Sequence, residues 1–252
     1  MFLDTFKNDV LDDFHSRGWY RSLSVGCMFT EDNVVINDVR YSVYWIRYNV
    51  GSIVLSSSQK RLMNTVRSKY SISYEPFRID DDLEQLFVQY KQAATFLKDD
   101  SLRFIFGSDT FNTGVIKIRD KNKLIAAGLF DKGNNSISGV MNFYDPAYRK
   151  YSLGKYLMLE KISYCFTQGI EYYYPGNIVP GIPKLDYKLL IDKNAIEVYD
   201  MTTGDWVPYL EWNGHYLLSR KSIDRQGEGN TKRLNVFRRY FQLFFESRYR
   251  QQ

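Results

Sequence analysis

Apolar positions along the chain alternate between a helical period and a strand period, and the changes of period mark out the elements. Asn8–Ser16 carries Val10, Leu11 and Phe14 at helical spacing and is stopped by Gly18. Strand-like runs follow at Ser24–Phe29 and Val39–Val50, the second rich in Tyr, Trp, Ile and Val. A serine cluster from Ser56 to Ser58 opens a helix whose apolar side is Leu62, Met63 and Val66 and whose basic side is Lys60, Arg61 and Arg67. Pro76 marks a break, and Asp80–Leu97 is an amphipathic helix with aspartates placed to complement its N-terminal dipole. Asp99–Asn112 reads as helix or turn. Gly114–Asp120 and Leu124–Phe130 form a hairpin, and Ser136–Tyr144 is a third strand. Ser152–Gln168 is a helix with Leu153, Leu157, Ile162 and Phe166 inward, ended by Gly169. Glu171–Tyr174 is a short strand, and Ile196–Tyr199 and Trp206–Tyr209 flank a turn at Thr202–Gly204. Arg233–Arg250 is a helix with Leu234, Phe237, Phe241 and Phe244 on one stripe.

This order predicts a mixed α/β chain of class α+β in three parts: residues 1–75, mainly β with one helix; 76–215, a βββαβ unit whose order suggests an N-acetyltransferase-like (GNAT) fold; and 216–252, a basic helical tail set off by the linker-like Gln226–Asn230. Charge sharpens the last part. Of the net +5, the segment from Ser219 to Gln252 holds nine Lys or Arg against three Asp or Glu, so the rest is nearly neutral. A basic tail beside a neutral body suits a nucleic-acid or other anionic partner, or else is a solvated helix face. The two cysteines, Cys27 and Cys165, lack metal-ligand spacing and read as buried thiols in a reducing compartment, with a disulfide between them as the alternative. Met1–Val10 carries acidic residues and no apolar core segment, and no apolar run approaches the roughly 20 residues needed to span a bilayer. The expectation is a soluble cytoplasmic protein.

The densest chemistry lies from Tyr144 to Lys188: a turn, a helix, an aromatic strand, then a loop rich in Pro and Gly. Arg149, Ser152 and Gly154 partly fit the loop [Q/R]-x-x-G-x-[G/A], with which N-acetyltransferase-like (GNAT) enzymes bind the pyrophosphate of acetyl-CoA at a helix N-terminus. Ser replaces the first Gly, which crowds the backbone against a pyrophosphate; the alternative is that Ser152 is a helix N-cap and Gly154 makes room for packing. In a strand, Tyr172 and Tyr174 share one face and Tyr173 takes the other. Lys184 and Lys188 follow on the loop, as phosphate ligands or as ordinary solvated lysines.

Together these residues resemble the arginyl-tRNA–protein transferases and their bacterial leucyl-transferring relatives. Tyr144, Asp145, Pro146, Tyr148, Ser152, Leu153 and Gly154 fit the family's Y-D-P-x-Y-x-x-x-S-L-G. Tyr172–Tyr174 with Gly176 fit Y-Y-Y-x-G, and Pro183, Lys184, Tyr187 and Lys188 fit P-K-M-x-Y-K with Leu185 for Met. Upstream, Arg17–Ser22 is similar to R-G-W-R-R-S, and Tyr44, Ile46 and Arg47 followed by Ser56, Ser58, Gln59, Lys60 and Arg61 are similar to Y-x-I-R and S-x-S-Q-[K/R]-[K/R]. Tyr199–Pro208 is similar to L-D-P-x-T-x-x-W-x-P. The chain departs at the family's cysteines, which bind a metal or an iron–sulfur cluster. It begins downstream of the first pair, and Arg40 and Tyr41 stand at the second, so no metal site is expected. Pro180 replaces a usual His, and Asp186 stands where eukaryotic members often have Arg.

The resemblance implies an enzyme that moves an amino acid from aminoacyl-tRNA to a protein's N-terminal amine, with no cofactor because the ester is already activated. Placement of amine against carbonyl and stabilisation of the oxyanion are then its main tasks. An α-amine is about one-tenth neutral at pH 7, so a strong general base is optional. His15 and His215 both lie outside the motifs. The expected substrate-binding residues are Tyr144, Tyr148, Ser152, Leu153, Gly154, Tyr174, Lys184, Tyr187 and Lys188, with Tyr144, Tyr174 and Tyr187 as pocket walls. Arg149, Lys155, Lys184 and Lys188, with Lys60 and Arg61, would meet tRNA phosphates, and Asp145 or Asp186 would orient the amine. Two other readings stay open: an acetyl-CoA-dependent N-acetyltransferase, and a non-catalytic relative that binds tRNA or protein.

Overall fold

The computed structural model describes residues 5–22, 27–31, 33–36, 39–93, 101–105, 110–180, 182 and 187–212. The expected C-terminal helix, together with Lys184 and Asp186, lies outside them.

The described chain is mixed α/β. Its helices are α1 (Asn8–Ser16), α2 (Ser57–Lys69), α3 (Asp81–Ala93), α4 (Leu102–Ile105) and α5 (Leu153–Gln168). Its strands are β1 (Tyr20–Arg21), β2 (Met28–Phe29), β3 (Asn33–Ile36), β4 (Val39–Ser42), β5 (Tyr44–Asn49), β6 (Ser71–Pro76), β7 (Thr113–Asp120), β8 (Lys123–Lys132), β9 (Ser136–Tyr144), β10 (Tyr172–Ile178), β11 (Ile196–Asp200) and β12 (Asp205–Pro208). Eight strands form one sheet in the order β12-β11-β5-β10-β9-β8-β7-β6, while β1–β2 and β3–β4 are separate ribbons. The large sheet takes β5 and all but the last residue of β6 from residues 1–75 and its other strands from beyond residue 75.

Helices cover both faces of the sheet. On one, α2 and α5 bury Met63, Val66, Leu157 and Ile162 against Ile46, Ile116, Phe130 and Tyr173. On the other, Leu83 and Phe87 of α3 pack on Val115, Leu129 and Phe143. Phe87 and Phe143 meet edge to face at 5.6 Å. Because α5 is covered by the sheet on one side and α2 on the other, it buries Leu153 and then Tyr156 through Ile162 without a gap, and Cys165. Phe166, expected inward, is 51% exposed; the inward stripe runs Leu157, Lys161, Cys165, and Phe166 falls beside it in the last turn.

Local chemistry sets the ends. Ser56 and Gln59 form a reciprocal capping box at the start of α2. Gly18 and Gly169 take left-handed backbone after α1 and α5. The break expected at Pro76 is instead the end of β6. That strand is the sheet's edge, where a residue without an N–H forfeits little.

Candidate functional site

The sheet opens between β9 and β10. These two strands run parallel and pair only at Tyr172–Ser136, Tyr173–Ile137 and Tyr174–Ser138. Beyond that, β10 stays bonded to β5 through Gly176–Ile46, Asn177–Trp45 and Ile178–Tyr44, while β9 stays bonded to β8. The wedge between them is a cavity of about 440 Å³. Its sides are Ser138–Asn142 of β9 and Tyr173 and Pro175–Asn177 of β10. Met158 and Lys161 of α5 close one end; Tyr20, Arg21 and Trp45 close the other; Tyr187 and Lys188 complete the wall.

The aromatic end is held rigidly. The Tyr20 ring stacks on Trp45 at 3.7 Å, and its hydroxyl donates to the Ile46 carbonyl at 3.2 Å. Helix α1 fixes the segment that carries Tyr20. The Asp12 carboxylate accepts from the N–H groups of Asn134 and Asn135 and from the Ser136 hydroxyl. A Cβ at Gly133 would sit 2.0 Å from that carboxylate, so this turn requires glycine. His15 hydrogen-bonds Ser136 and stacks on Tyr174 at 4.7 Å. The histidine is thus packed against the Tyr motif despite its distance in sequence.

Three cations line the cavity, and among the described residues no Asp or Glu does. Arg21 is paired with the fully buried Asp131 at 2.9 Å, which also accepts from Thr113 at 2.5 Å. Burial raises the Asp131 pKa, opposed by Arg21. Lys188 is buried and donates to the Asn177 carbonyl at 2.6 Å. Lys161, 1% exposed, donates to the Leu129 carbonyl and to Asn142 Oδ1, both at 2.8 Å. Burial lowers its pKa from 10.5 to about 7. The Tyr173 hydroxyl makes no hydrogen bond to a described residue, and burial holds its pKa well above 10.0, so it remains an O–H donor at neutral pH.

Of the predicted site residues, Tyr187 and Lys188 reach this cavity. Lys188 is committed to the Asn177 carbonyl rather than displayed on the surface. The strand alternation is as expected, with Tyr172 and Tyr174 on one face and Tyr173 on the other, but it is Tyr173 that lines the cavity. Tyr174 sits behind it, accepting from Arg47, whose guanidinium lies over the Tyr172 and Trp206 rings. Asp145 caps the turn over Pro146–Tyr151 by accepting from Ala147 N–H, and pairs with Lys123 at 2.6 Å. Burial opposes ionisation, but Lys123 and that N–H outweigh it and lower the Asp145 pKa. Tyr148 donates to Asp120 at 2.9 Å, and Tyr144 packs on Tyr90. Neither Asp145, Tyr144 nor Tyr148 lines the cavity.

Ser152 precedes α5 in left-handed backbone, φ 50 and ψ 42, with no side-chain cap bond. It therefore adopts the conformation that glycine takes more readily. A Cβ on Gly154 would meet Tyr144 at 3.6 Å, an ordinary contact, while the Leu153 side chain is buried in the core. The expected phosphate ligands fall in two groups. Lys60 and Arg61 are exposed beside Gln59, whose amide donates to the Leu190 and Ile191 carbonyls. Arg149 and Lys155 flank the N-terminus of α5. There Lys69 and Lys150 also approach the Tyr151 ring, at 5.0 and 5.2 Å. Nine residues of α2, a rise of roughly 14 Å, separate Lys60 from Lys69. Arg67, the third basic residue of α2, is taken by the buried Glu160.

Sequence reasoning missed Lys161 and Arg21 as site residues. The signal for Lys161 was present: it stands four residues from both Leu157 and Cys165, on the buried stripe of α5. Cys165 is buried and Cys27 half-buried, both free. Among the described residues no helix is long and apolar enough to cross a membrane.

Residues 58–196, more than half of the chain, match the family model described as arginine-tRNA-protein transferase, C terminus. An aspartate/glutamate leucyltransferase of Ruegeria pomeroyi is 31% identical over 177 residues, 67% of this chain and 63% of that protein. One of Paracoccus denitrificans is 37% identical over 89 residues, 35% of this chain and 30% of that protein. One of Leptospira interrogans is 26% identical over 151 residues, 56% of this chain and 58% of that protein. The chain thus spans between 30% and 63% of the length of these curated relatives. Among solved structures, FemX gives a TM-score of 0.41 at 8% identity, covering 69% of this chain and 60% of its own. L-PGS from Bacillus licheniformis gives 0.41 at 11%, covering 68% and 50%. Neither likeness adds to the fold described above.

Proposed function

The chain belongs to the arginine-tRNA-protein transferase family, and from that premise we propose that it moves an amino acid from an aminoacyl-tRNA onto the N-terminal amine of a protein beginning with Asp or Glu. One observation carries the acceptor: the wedge cavity is lined by Arg21, Lys161 and Lys188 and, among the described residues, by no carboxylate. An acidic side chain is expensive to bury without a cation, and Lys188 and Arg21, the latter shared with Asp131, stand in this wall. The name aspartate/glutamate leucyltransferase, borne by its relatives, agrees with that chemistry.

On this reading β7, β8, β9, α5 and β10 form a GNAT-like unit, with the parted strands gripping the acyl group. The donor ester is already activated, so the protein positions the amine against the ester carbonyl and stabilises the oxyanion. The Tyr173 hydroxyl is the donor free for that oxyanion. Lys60, Arg61, Arg149 and Lys155 meet phosphates of the tRNA, whose charge makes such contacts sensitive to salt. Charged tRNA as donor places the reaction in the cytoplasm.

The test offers labelled Leu-tRNA, Arg-tRNA or acetyl-CoA with peptides beginning Asp, Glu or Ala. Label passing from a tRNA to the Asp and Glu peptides is the expected result. Label passing only from acetyl-CoA, or tRNA binding without transfer, refutes the proposal.

A further inference from the structure

We propose that Lys161 is the proton carrier of the transfer reaction, taking the proton from the attacking amine and delivering it to the departing ribose oxygen. The inference rests on the transferase reading and names a catalytic residue within that site.

The geometry comes first. Lys161 rises from the middle of α5 into the wedge, where it lines the cavity together with Asn142, Gly139 and Tyr173. Two of the three ammonium hydrogens go to the Leu129 carbonyl and Asn142 Oδ1. Among the described residues the third has no acceptor. A Cβ on Gly139 would lie 3.0 Å from the Tyr173 hydroxyl and 3.6 Å from Lys161 Nζ. The hydroxyl and the amine therefore flank one small volume, kept open by a residue without a side chain. A reacting carbonyl in that volume has an oxyanion donor on one side and a titratable nitrogen on the other.

A buried lysine serves this step only if it releases its proton near neutral pH. Burial brings it to about 7, opposed by the charge of Asp131 on β8. The other ionisable groups facing it are Cys165 on its own helix, Tyr173 on β10, Arg21 paired with Asp131 on β8, and Lys188 across the cavity wall. Asp131 and Cys165 both favour the ammonium, so it is burial that keeps the neutral form of Lys161 accessible.

The reaction needs such a group late rather than early. A fraction of the acceptor amine is already neutral, so attack is open. It forms the C–N bond and leaves a tetrahedral carbon bearing a positive nitrogen and a negative oxygen. From that species a neutral amine leaves more readily than a ribose alkoxide. Forward collapse requires nitrogen to lose a proton and the ribose oxygen to gain one. Neutral Lys161 takes the proton from nitrogen and its ammonium form returns one to the ribose oxygen as the C–O bond breaks. Starting from the ammonium form of the acceptor, the products are the amide, the free tRNA hydroxyl and one proton released to solvent.

The test compares wild type with Lys161→Arg and Lys161→Met. In the wild type, kcat/KM for peptide transfer should rise with pH to a plateau above about pH 7. Arginine keeps the charge but does not release its proton. Lys161→Arg should lose the rising limb and fall about 10²- to 10⁴-fold, with tRNA affinity unchanged within twofold. Lys161→Met removes the charge and keeps the stem, and should show the same loss if it remains folded by circular dichroism. Independently of any substrate, NMR titration of isotope-labelled lysine should give Lys161 a midpoint near 7. Either variant retaining the wild-type rate and pH limb overturns the inference, as does an NMR midpoint above pH 9. A wild type that transfers from no tRNA overturns the transferase reading instead, and the NMR midpoint still judges Lys161.

Discussion

His15 should make the fold acid-labile at a pH well above the range in which carboxylates titrate. Its Nδ1 lies 3.0 Å from the Ser136 hydroxyl, and that hydroxyl spends its own proton on Asp12. Nδ1 must therefore carry the hydrogen, which leaves Nε2 as a buried acceptor with no partner. Protonating Nε2 would bury a full charge and add a second N–H that has no acceptor among the described residues. Burial accordingly lowers the pKa from 6.5 to about 3. The unfolded chain then binds a proton below pH 6.5 that the folded chain refuses, so stability is intact above 6.5 and is lost as pH falls toward 3. With those two values the loss at pH 5 is about 2 kcal/mol, a large part of the ~5–15 kcal/mol typical of a domain. Urea unfolding followed by tryptophan fluorescence at pH 7, 6 and 5 measures it. Variant His15→Asn, which keeps a polar group near the Nδ1 position, should be less stable at pH 7 but less pH-dependent between 7 and 5 by about 2 kcal/mol. Carboxylate titration is common to both proteins and cancels in the difference. Equal slopes for the two proteins would refute the reasoning.

Three further substitutions probe the site and its supports. Gly139→Ala should leave stability within about 1 kcal/mol but reduce kcat/KM at least tenfold, because its Cβ would lie 3.0 Å from the Tyr173 hydroxyl; unchanged kinetics would remove the wedge from the mechanism. Lys188→Met should narrow the preference for peptides beginning Asp over Ala by about ten- to a hundredfold, the worth of one charged hydrogen bond, read as a ratio of kcat/KM values. Ser56→Ala breaks the capping box of α2 and should lower unfolding free energy by about 1 kcal/mol without affecting the ratio between peptides.

What could be read from sequence depended on how local the cause was. Helices α1, α2 and α5 and the hairpin of β7 and β8 were legible because period, caps and turns act within a few residues. The alternation of Tyr172, Tyr173 and Tyr174 was legible for the same reason. Strand β6 was hidden because Pro76 reads as a break unless the strand is known to be an edge. Which tyrosine lines the cavity was not legible: it depends on where β9 leaves β10, a fact of pairing between segments more than thirty residues apart. Motif residues also divided between roles that sequence cannot separate. Asp145 and Tyr148 hold the turn before α5, whereas Tyr187 and Lys188 reach the site.

The cavity's cations follow from the architecture itself. Parting two strands of a sheet leaves backbone groups that would otherwise pair across the gap, and buried carbonyls need donors. Strand β10 keeps its bonds to β5 on the far side, so the first seventy-five residues supply the support that lets the wedge stay open. On the cavity side, Lys188 donates to the Asn177 carbonyl. Where β8 and β9 slip register between Leu129 and Phe130, Lys161 donates to the Leu129 carbonyl. A hydroxyl or an amide could satisfy either carbonyl without the desolvation that a buried ammonium incurs. Lysine at both positions therefore adds something the backbone does not require: positive charge, and at Lys161 a proton that can leave, inside a gap lined among the described residues by no acidic side chain. Those properties are superfluous to holding a sheet open and suited to receiving an acidic N-terminus and moving its proton.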